Sequence, residues 1–344
     1  AMYLKNFFKQ LYWKRKKHLV DDNNLAKTLD ITLHKPTNHK NVCICMIDIV
    51  NFSKWCNDKS PETIFSTMTA YNTLLSTIID TYDDVDKIEL VGDSVLIMGG
   101  FRNLFNANMN IFNIINLAID ILSNIDYIKD IFDDHVSLRI GIHTGDIYSG
   151  FILNPKKFQL FGNSINVASR LESYSIPGTF TISNIAFQQL KEKQITKRIK
   201  DIIGKPNLAV LKGVGSVKCI CGFLQKNAIL IGDDDRCHVQ IFKKMVRCIY
   251  NIDSTSATTI NDTFSMMKQN QYVMCILDIH FINTCVLNTL KEFRAWEEVF
   301  RTNKQIIILT SSGLDDCIIK EYEQLVDGFL EKLDIFNYNA YPTI

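Results

Sequence analysis

The apolar positions of this chain change rhythm about two-thirds of the way along. Residues 41–50 form a nearly unbroken apolar run that predicts a strand. After the helix-start signal Ser60-Pro61-Glu62, the side chains Ile64, Phe65, Met68, Tyr71, Leu75 and Ile78 recur at helical spacing, predicting a helix over 61–80. Residues 85–98 read as strand, turn at Gly92-Asp93, and strand. Next come a helix over 104–125, a strand over 136–142 ending in His143-Thr144-Gly145, a strand over 157–161 and a helix over 163–174. A turn at Pro177-Gly178 leads into a strand over 179–182 and a helix over 183–192. This mixture of hairpins and helical crossovers predicts an α+β domain, a mixed sheet with helices packed against it. Around 224–228 the pattern restarts. Short apolar strands at 228–231, 272–277 and 305–309 are separated by helical stretches near 238–249, 259–269, 286–300 and 315–325. Alternation of that kind predicts an α/β doubly wound parallel sheet. The expected organisation is an N-terminal segment over 1–40, one domain over 41–224 and a second over 227–344, hinged at Gln225–Asn227.

Composition narrows the classes. The chain of 344 residues is 47% hydrophobic and 22% charged, ordinary values for globular protein. A formal net charge of +1 gives no pull toward nucleic acid, and no nucleic-acid partner is expected. Ten cysteines contain no Cys-x-x-Cys pair. Cys43 and Cys45, like Cys219 and Cys221, are spaced so that both thiols fall on one face of a strand. The expectation is buried reduced thiols and a cytoplasmic protein. There is no signal-peptide pattern, and residues 104–126 are interrupted by Asn and Asp as an amphipathic helix would be. Residues 2–17 set Phe7, Phe8, Leu11, Tyr12 and Trp13 among basic residues. Such a helix either packs on its own domain or dimer partner, the preferred reading, or lies on an anionic membrane.

The chemistry begins at two strand ends. Asp48 closes Met-Ile-Asp-Ile-Val, and Asp93 lies in Glu-Leu-Val-Gly-Asp-Ser with Glu89 four residues before it. Singly, each is a turn aspartate; delivered together they are hard oxygen donors for Mg2+ or Mn2+. Asn166 and Arg170 stand four apart in Gly162-Asn-Ser-Ile-Asn-Val-Ala-Ser-Arg-Leu-Glu-Ser173, on one face of the predicted helix. Together these segments resemble the class III nucleotidyl cyclases, enzymes that turn a nucleoside triphosphate into a 3′,5′-cyclic nucleotide and pyrophosphate.

The resemblance implies a role for each residue. Asp48, Asp93 and the backbone carbonyl of Ile49 would hold two Mg2+ or Mn2+ ions per active site. Asn166 would orient the ribose, Arg170 would stabilise charge on the α-phosphate, and Lys212, in Leu-Lys-Gly-Val-Gly, would bind the β- and γ-phosphates. In this family the metal aspartates of one chain face the Asn/Arg pair of another, so a head-to-tail homodimer with two equivalent sites is implied. Glu89 and Gln159 fall at the two base-reading positions. A carboxylate accepts from guanine N1–H and the 2-amino group, and adenine offers neither. The Gln159 amide serves guanine O6 or, flipped, adenine N6. GTP is the expected substrate, with ATP and a pyrimidine triphosphate as alternatives. Phe52 either lines the base pocket or is a plain core aromatic.

The second domain carries its own acidic set. Asp233–Asp235 close one predicted strand, Asp278 the next and Thr310 another, while Lys332 follows Gly-Phe-Leu-Glu. Strand C-termini of a doubly wound sheet converge on one crevice. The set resembles the receiver domain of phosphorelay response regulators. That resemblance implies that Asp233 and Asp234 hold Mg2+, that a histidine kinase or phosphotransfer protein phosphorylates Asp278, and that Thr310 and Lys332 contact the phosphoryl group. Phe329 falls at the aromatic switch position. The stretch after Asp278 lacks the usual Pro and Gly, and Leu333 replaces the usual Pro after the lysine. The alternatives are a receiver fold kept as a docking module and, for the whole chain, an inactive cyclase fold serving as sensor or scaffold.

Overall fold

A computed structural model describes residues 36–102, 107–133, 136–152, 157–282 and 284–332. The basic stretch 2–17 and Leu333 lie outside the described residues. Strand β1 (Thr37–Ile49) is the centre of the first sheet, paired antiparallel with β3 (Ser94–Gly99) on one side and β4 (Leu138–Ile152) on the other. Its apolar run is continuous because both faces are covered. Cys43, Cys45, Ile47 and Ile49 enter the main core, while Val42 and Ile44 enter a smaller cluster on the opposite face.

The eight strands run in the order β2 (Val85–Val91), β3, β1, β4, β6 (Thr179–Ser183), β8 (Gly215–Gly222), β7 (Ile203–Leu211), with β5 (Lys157–Phe161) paired to β4. Only β4 and β6 are parallel, so the sheet is mixed. Helix α1 (Phe52–Cys56) follows β1, and α2 (Pro61–Ile79) starts where Ser60 accepts a hydrogen bond from the Thr63 amide. Helix α2 buries Tyr71, Leu75 and Ile78, but Phe65 falls off that stripe and is 76% exposed.

The helix expected over 104–125 is two helices, α3 (Ala107–Ser123) and α4 (Ile125–Phe132), bent by 51° at Asn124. No single helix among the described residues is long and apolar enough to cross a membrane. Strand β4 does not stop at Gly145. It runs on to Ile152 because β5 and the first residues of β1 both pair with its second half. Helix α5 (Asn163–Tyr174) lies across β4, and α6 (Asn184–Phe187) and α7 (Lys197–Ile202) follow β6. The hairpin β7–β8 was not marked by the apolar pattern: Leu208 and Val210 face outward on an edge strand, so alternation there carries no burial signal.

The second sheet has five parallel strands in the order β10 (Asp253–Ala257), β9 (Leu224–Gly232), β11 (Asn270–Asp278), β14 (Ile307–Ser311), β15 (Gly328–Glu331). Helices α8 (Arg236–Tyr250), α9 (Ile260–Gln269), α10 (Val286–Phe300) and α11 (Asp316–Tyr322) alternate with them, and a small hairpin, β12 (His280–Phe281) and β13 (Thr284–Cys285), follows β11. The polar sequence of β10, Asp-Ser-Thr-Ser-Ala, hid it from the periodicity. Gln225–Asn227 lie within β9, and the chain passes between the sheets through Phe223 alone. The Arg301 guanidinium sits 5.0 Å from the Phe223 ring and donates to the Asn270 carbonyl at 2.7 Å. Thr302 and Lys205 add hydrogen bonds to the carbonyls of Ile203 and Glu298, so the end of α10 is sealed against β7.

All described thiols are unpaired. Cys43, Cys45, Cys219, Cys221 and Cys275 are buried as expected, but Cys237, Cys248 and Cys317 are exposed: each lies on a helix's solvent face, not in a strand.

Candidate active site

Asp48 reaches the site from the penultimate position of β1, and Asp93 from the turn between β2 and β3, where Gly92 takes the left-handed conformation at φ 62°. Ser94 Oγ donates to Asp48 Oδ1 at 3.1 Å, and Arg139 Nη2 donates to Asp48 Oδ2 at 2.8 Å. The two carboxylates are close enough to disturb each other. Burial first, and then the negative charge of Asp48, push the Asp93 carboxyl up to about 6, against the pull of the Asp93 and Ile49 amides. Two crowded carboxylates of which one resists ionising are an oxygen donor set whose repulsion a divalent cation relieves.

Two further charged residues belong to this cluster, and motif reading did not single them out. Arg139 is the register partner of Asp48 across β1 and β4. Its Nε lies 3.0 Å from Glu172 Oε1, an ion pair that is off the hydrogen-bonding axis. Glu172 sits on the buried face of α5 with Val167, Ala168 and Leu171. Burial, and then the charge of Asp48, raise its carboxyl to about 7 despite Arg139. A charged residue on an apolar helical face was the available signal.

The remaining sequence-derived positions are spread around this cluster. Asn166 and Arg170 are exposed on the outer face of α5, and among the described residues no hydrogen bond or ion pair joins either to Asp48 or Asp93. Lys212 is exposed in the β7–β8 turn. Glu89 is half-buried on β2, just past a bulge, opposite Leu96; Gln159 is half-buried on β5, opposite Gly150. Phe52 is half-buried, stacks on Trp55 at 5.8 Å and packs against the main core. One chain thus brings the two aspartates together, with Asn166, Arg170 and Lys212 exposed on other elements.

Comparison with known proteins finds a family model, described as the adenylate and guanylate cyclase catalytic domain, that matches residues 34–219. This chain belongs to that family. Receptor-type guanylate cyclase gcy-14 of Caenorhabditis elegans is 28% identical over 185 residues, which are 53% of this chain and 16% of that protein. Guanylate cyclase 2G of Mus musculus is 31% identical over 42% of this chain and 13% of its own length. The germination-specific adenylate cyclase of Dictyostelium discoideum is 29% identical over 61% of this chain and 25% of its own length. The chain therefore spans a quarter or less of these relatives. Among solved structures, the guanylate cyclase domain of RhGC from Catenaria anguillulae in complex with GTP covers 54% of this chain and 97% of its own, at 24% identity and a TM-score of 0.48.

A second acidic cluster lies outside the matched cyclase residues, at the C-terminal ends of β9 and β11. One oxygen each from Asp233, Asp234 and Asp278 lie within 4.8 Å of one another. Lys332 Nζ bridges Asp278 Oδ2 at 2.8 Å and Asp233 Oδ2 at 2.9 Å. Burial raises the Asp278 carboxyl, opposed by Lys332; burial also works against the lysine's charge, but its carboxylate partners outweigh that and raise it. Thr310 is the register partner of Asp278 and donates to the Leu277 carbonyl at 3.3 Å. The Ile282 amide, on the β12–β13 hairpin, donates to Asp234. Asp235 is not part of the cluster: it caps α8 by accepting from the Cys237 amide. His238, which the sequence reading passed over, lies 3.2 Å from Lys332 Nζ.

Proposed function

We propose that this chain is a guanylyl cyclase that converts GTP to cyclic GMP and pyrophosphate at the interface of a cytoplasmic homodimer. The observation that carries the reading is the convergence of Asp48, at the end of β1, and Asp93, in the β2–β3 turn, where burial first and then the charge of Asp48 raise the Asp93 carboxyl to about 6. When bound by Asp48, Asp93 and the Ile49 carbonyl, two Mg2+ or Mn2+ ions would supply activation of the 3′-hydroxyl and neutralisation of the triphosphate. The protein's own side chains do the rest. Asn166 orients the ribose, Arg170 meets the charge that develops on the α-phosphate, and Lys212 holds the β- and γ-phosphates.

The exposed position of Asn166 and Arg170 supports a site completed by a second copy. So do the outward apolar side chains near the site. Tyr148 and Phe161, a cross-strand pair on β4 and β5, are 49% and 53% exposed, and Val91 beside Asp93 is 62% exposed. Two copies arranged head to tail would bury these patches and form two composite sites.

Glu89 favours GTP, because a carboxylate accepts from guanine N1–H and the 2-amino group and adenine offers neither donor. Gln159 reads either base, and one relative is named an adenylate cyclase, so ATP is the second substrate to test. The deciding experiment measures product from GTP and from ATP, each with Mn2+ and Mg2+, beside an Asp93→Ala control. Cyclic GMP made by the wild type and lost in the control is the expected result. Cyclic AMP alone would reassign the base, and no product from any nucleoside triphosphate would leave the inactive-scaffold reading.

The C-terminal sheet is read as a receiver-like regulatory domain. Support comes from its strand order, the flavodoxin-like 2-1-3-4-5 when counted within the sheet, and from Asp278 meeting Lys332 at the strand ends. Asp233 and Asp234 would hold Mg2+ there, and a histidine kinase or phosphotransfer protein would phosphorylate Asp278. The seam of Phe223, Arg301 and Thr302 is the route by which that change would reach the cyclase.

A further inference from the structure

We propose that Arg139 and Glu172 are positioning residues that tie the metal carboxylate of one composite active site to the helix that serves the other. The inference rests on the homodimeric cyclase reading above. In that dimer each protomer gives Asp48 and Asp93 to one site and Asn166 and Arg170 to its twin. Within one protomer, Arg139 touches both contributions. Its Nη2 binds Asp48 at 2.8 Å, and its Nε faces Glu172 at 3.0 Å, two residues beyond Arg170 on α5.

The surrounding packing makes this link stiff. A Cβ on Gly141 of β4 would fall 2.1 Å from the Glu172 amide nitrogen and 2.2 Å from the Ala168 carbonyl, so α5 rests directly on the strand that carries Arg139. Ser175, just past α5, donates to the Ile140 carbonyl at 2.7 Å and pins the helix end to the same strand. The contact that can change is the Arg139–Glu172 pair, whose facing atoms are buried, 3.0 Å apart and misaligned for a hydrogen bond. With Asp48 engaged by a cation, Glu172 would be the carboxyl group left to the guanidinium. Through its grip on Glu172 the guanidinium would then fix the seat of the turn of α5 that carries Arg170. Arg suits this role because its planar fork presents separate nitrogens to the two carboxylates, Nη2 to Asp48 and Nε to Glu172.

The test uses the purified full chain and Glu172→Gln, which keeps the side-chain volume. Mn2+ binding is followed by electron paramagnetic resonance with 3′-deoxy-GTP, which cannot cyclise. Turnover is then measured in a one-site heterodimer of an Asp93→Ala protomer and an Arg170→Ala protomer. Glu172→Gln in the Arg170→Ala protomer, which supplies the metal carboxylates, should weaken Mn2+ binding about 10-fold. The same change in the Asp93→Ala protomer, which supplies only α5, should lower kcat about 10-fold with the Mn2+ dependence unmoved. If Glu172→Gln does not fold, Arg139→Lys is measured in the same way, with the same split expected. Equal effects from both protomers, or a lower Tm with Mn2+ affinity and kcat unchanged, overturn the relay while the cyclase stands. A wild type that neither binds Mn2+ with the nucleotide nor forms product overturns the cyclase reading, and the relay with it.

Discussion

Asp48 and Arg139 are register partners on neighbouring antiparallel strands, and their side chains meet at 2.8 Å although they lie 91 residues apart in the chain. The carboxylate therefore has a built-in counter-ion before any cation arrives. Asp48→Asn should lower product formation by about 1000-fold or more, since a cation clamp contributes several kcal/mol to such a reaction. Far-ultraviolet circular dichroism should stay native. Retained turnover would remove Asp48 from the metal site.

The composite-site reading makes complementation the sharpest test of the proposed dimer. Asp93→Ala and Arg170→Ala should each be inactive alone. Mixed in equal amounts after subunit exchange, half the dimers regain one intact site, so about a quarter of wild-type activity should return. Silence in the mixture, with heterodimers demonstrated by size and mass, would contradict the head-to-tail arrangement.

The guanylyl cyclase reading puts base selection on Glu89. Glu89→Lys should reduce kcat/KM for GTP by roughly 5- to 150-fold, the equivalent of about 1–3 kcal/mol for leaving polar groups of the bound base unpaired. The ratio of ATP to GTP turnover should rise by a similar factor. An unchanged ratio would assign base reading elsewhere on β5 or β2.

The receiver reading predicts that acetyl phosphate changes the cyclase rate of the wild type and not of Asp278→Asn. Phosphorylation demonstrated by mass shift with an unchanged rate would leave the second sheet as a docking module. Lys332→Ala should leave Asp278 and Asp233 facing each other without their cation, and the loss should appear as a lower Tm.

His143 offers a pH signature independent of the metal site. Burial lowers it from 6.5 to about 4, and its Nδ1 lies 2.7 Å from Ser183 Oγ. The unfolded chain therefore binds a proton that the folded chain refuses between those values. Stability from this residue is fully present above about 6.5 and is lost as pH falls toward 4. Wild type should lose Tm relative to His143→Gln over that window, and a pH-independent difference would show that His143 is not held neutral.

The candidate residues stood out in the sequence because they travel in local company. Asp48 ends an apolar run, Asp93 follows a turn glycine, and Asn166 and Arg170 share one face of a helix whose bounds the periodicity marked. The second sheet was legible for the same reason, since its central strands are short and buried on both faces. What local pattern could not carry was polar or edge structure. Strand β10 has no apolar run, β7 exposes Leu208 and Val210, and the bend at Asn124 interrupts an otherwise continuous helical stripe.

By itself the sequence determined which segments could be strands or helices and which side chains stand at their ends, because period and turn chemistry are properties of neighbouring residues. Only the tertiary structure decided that Arg139 would meet Asp48 on one side and Glu172 on the other, and that His238 would join Lys332. Those encounters depend on strand register and on how closely α5 can rest on Gly141. Register is set by the packing of the whole sheet, and no short stretch of the chain contains it.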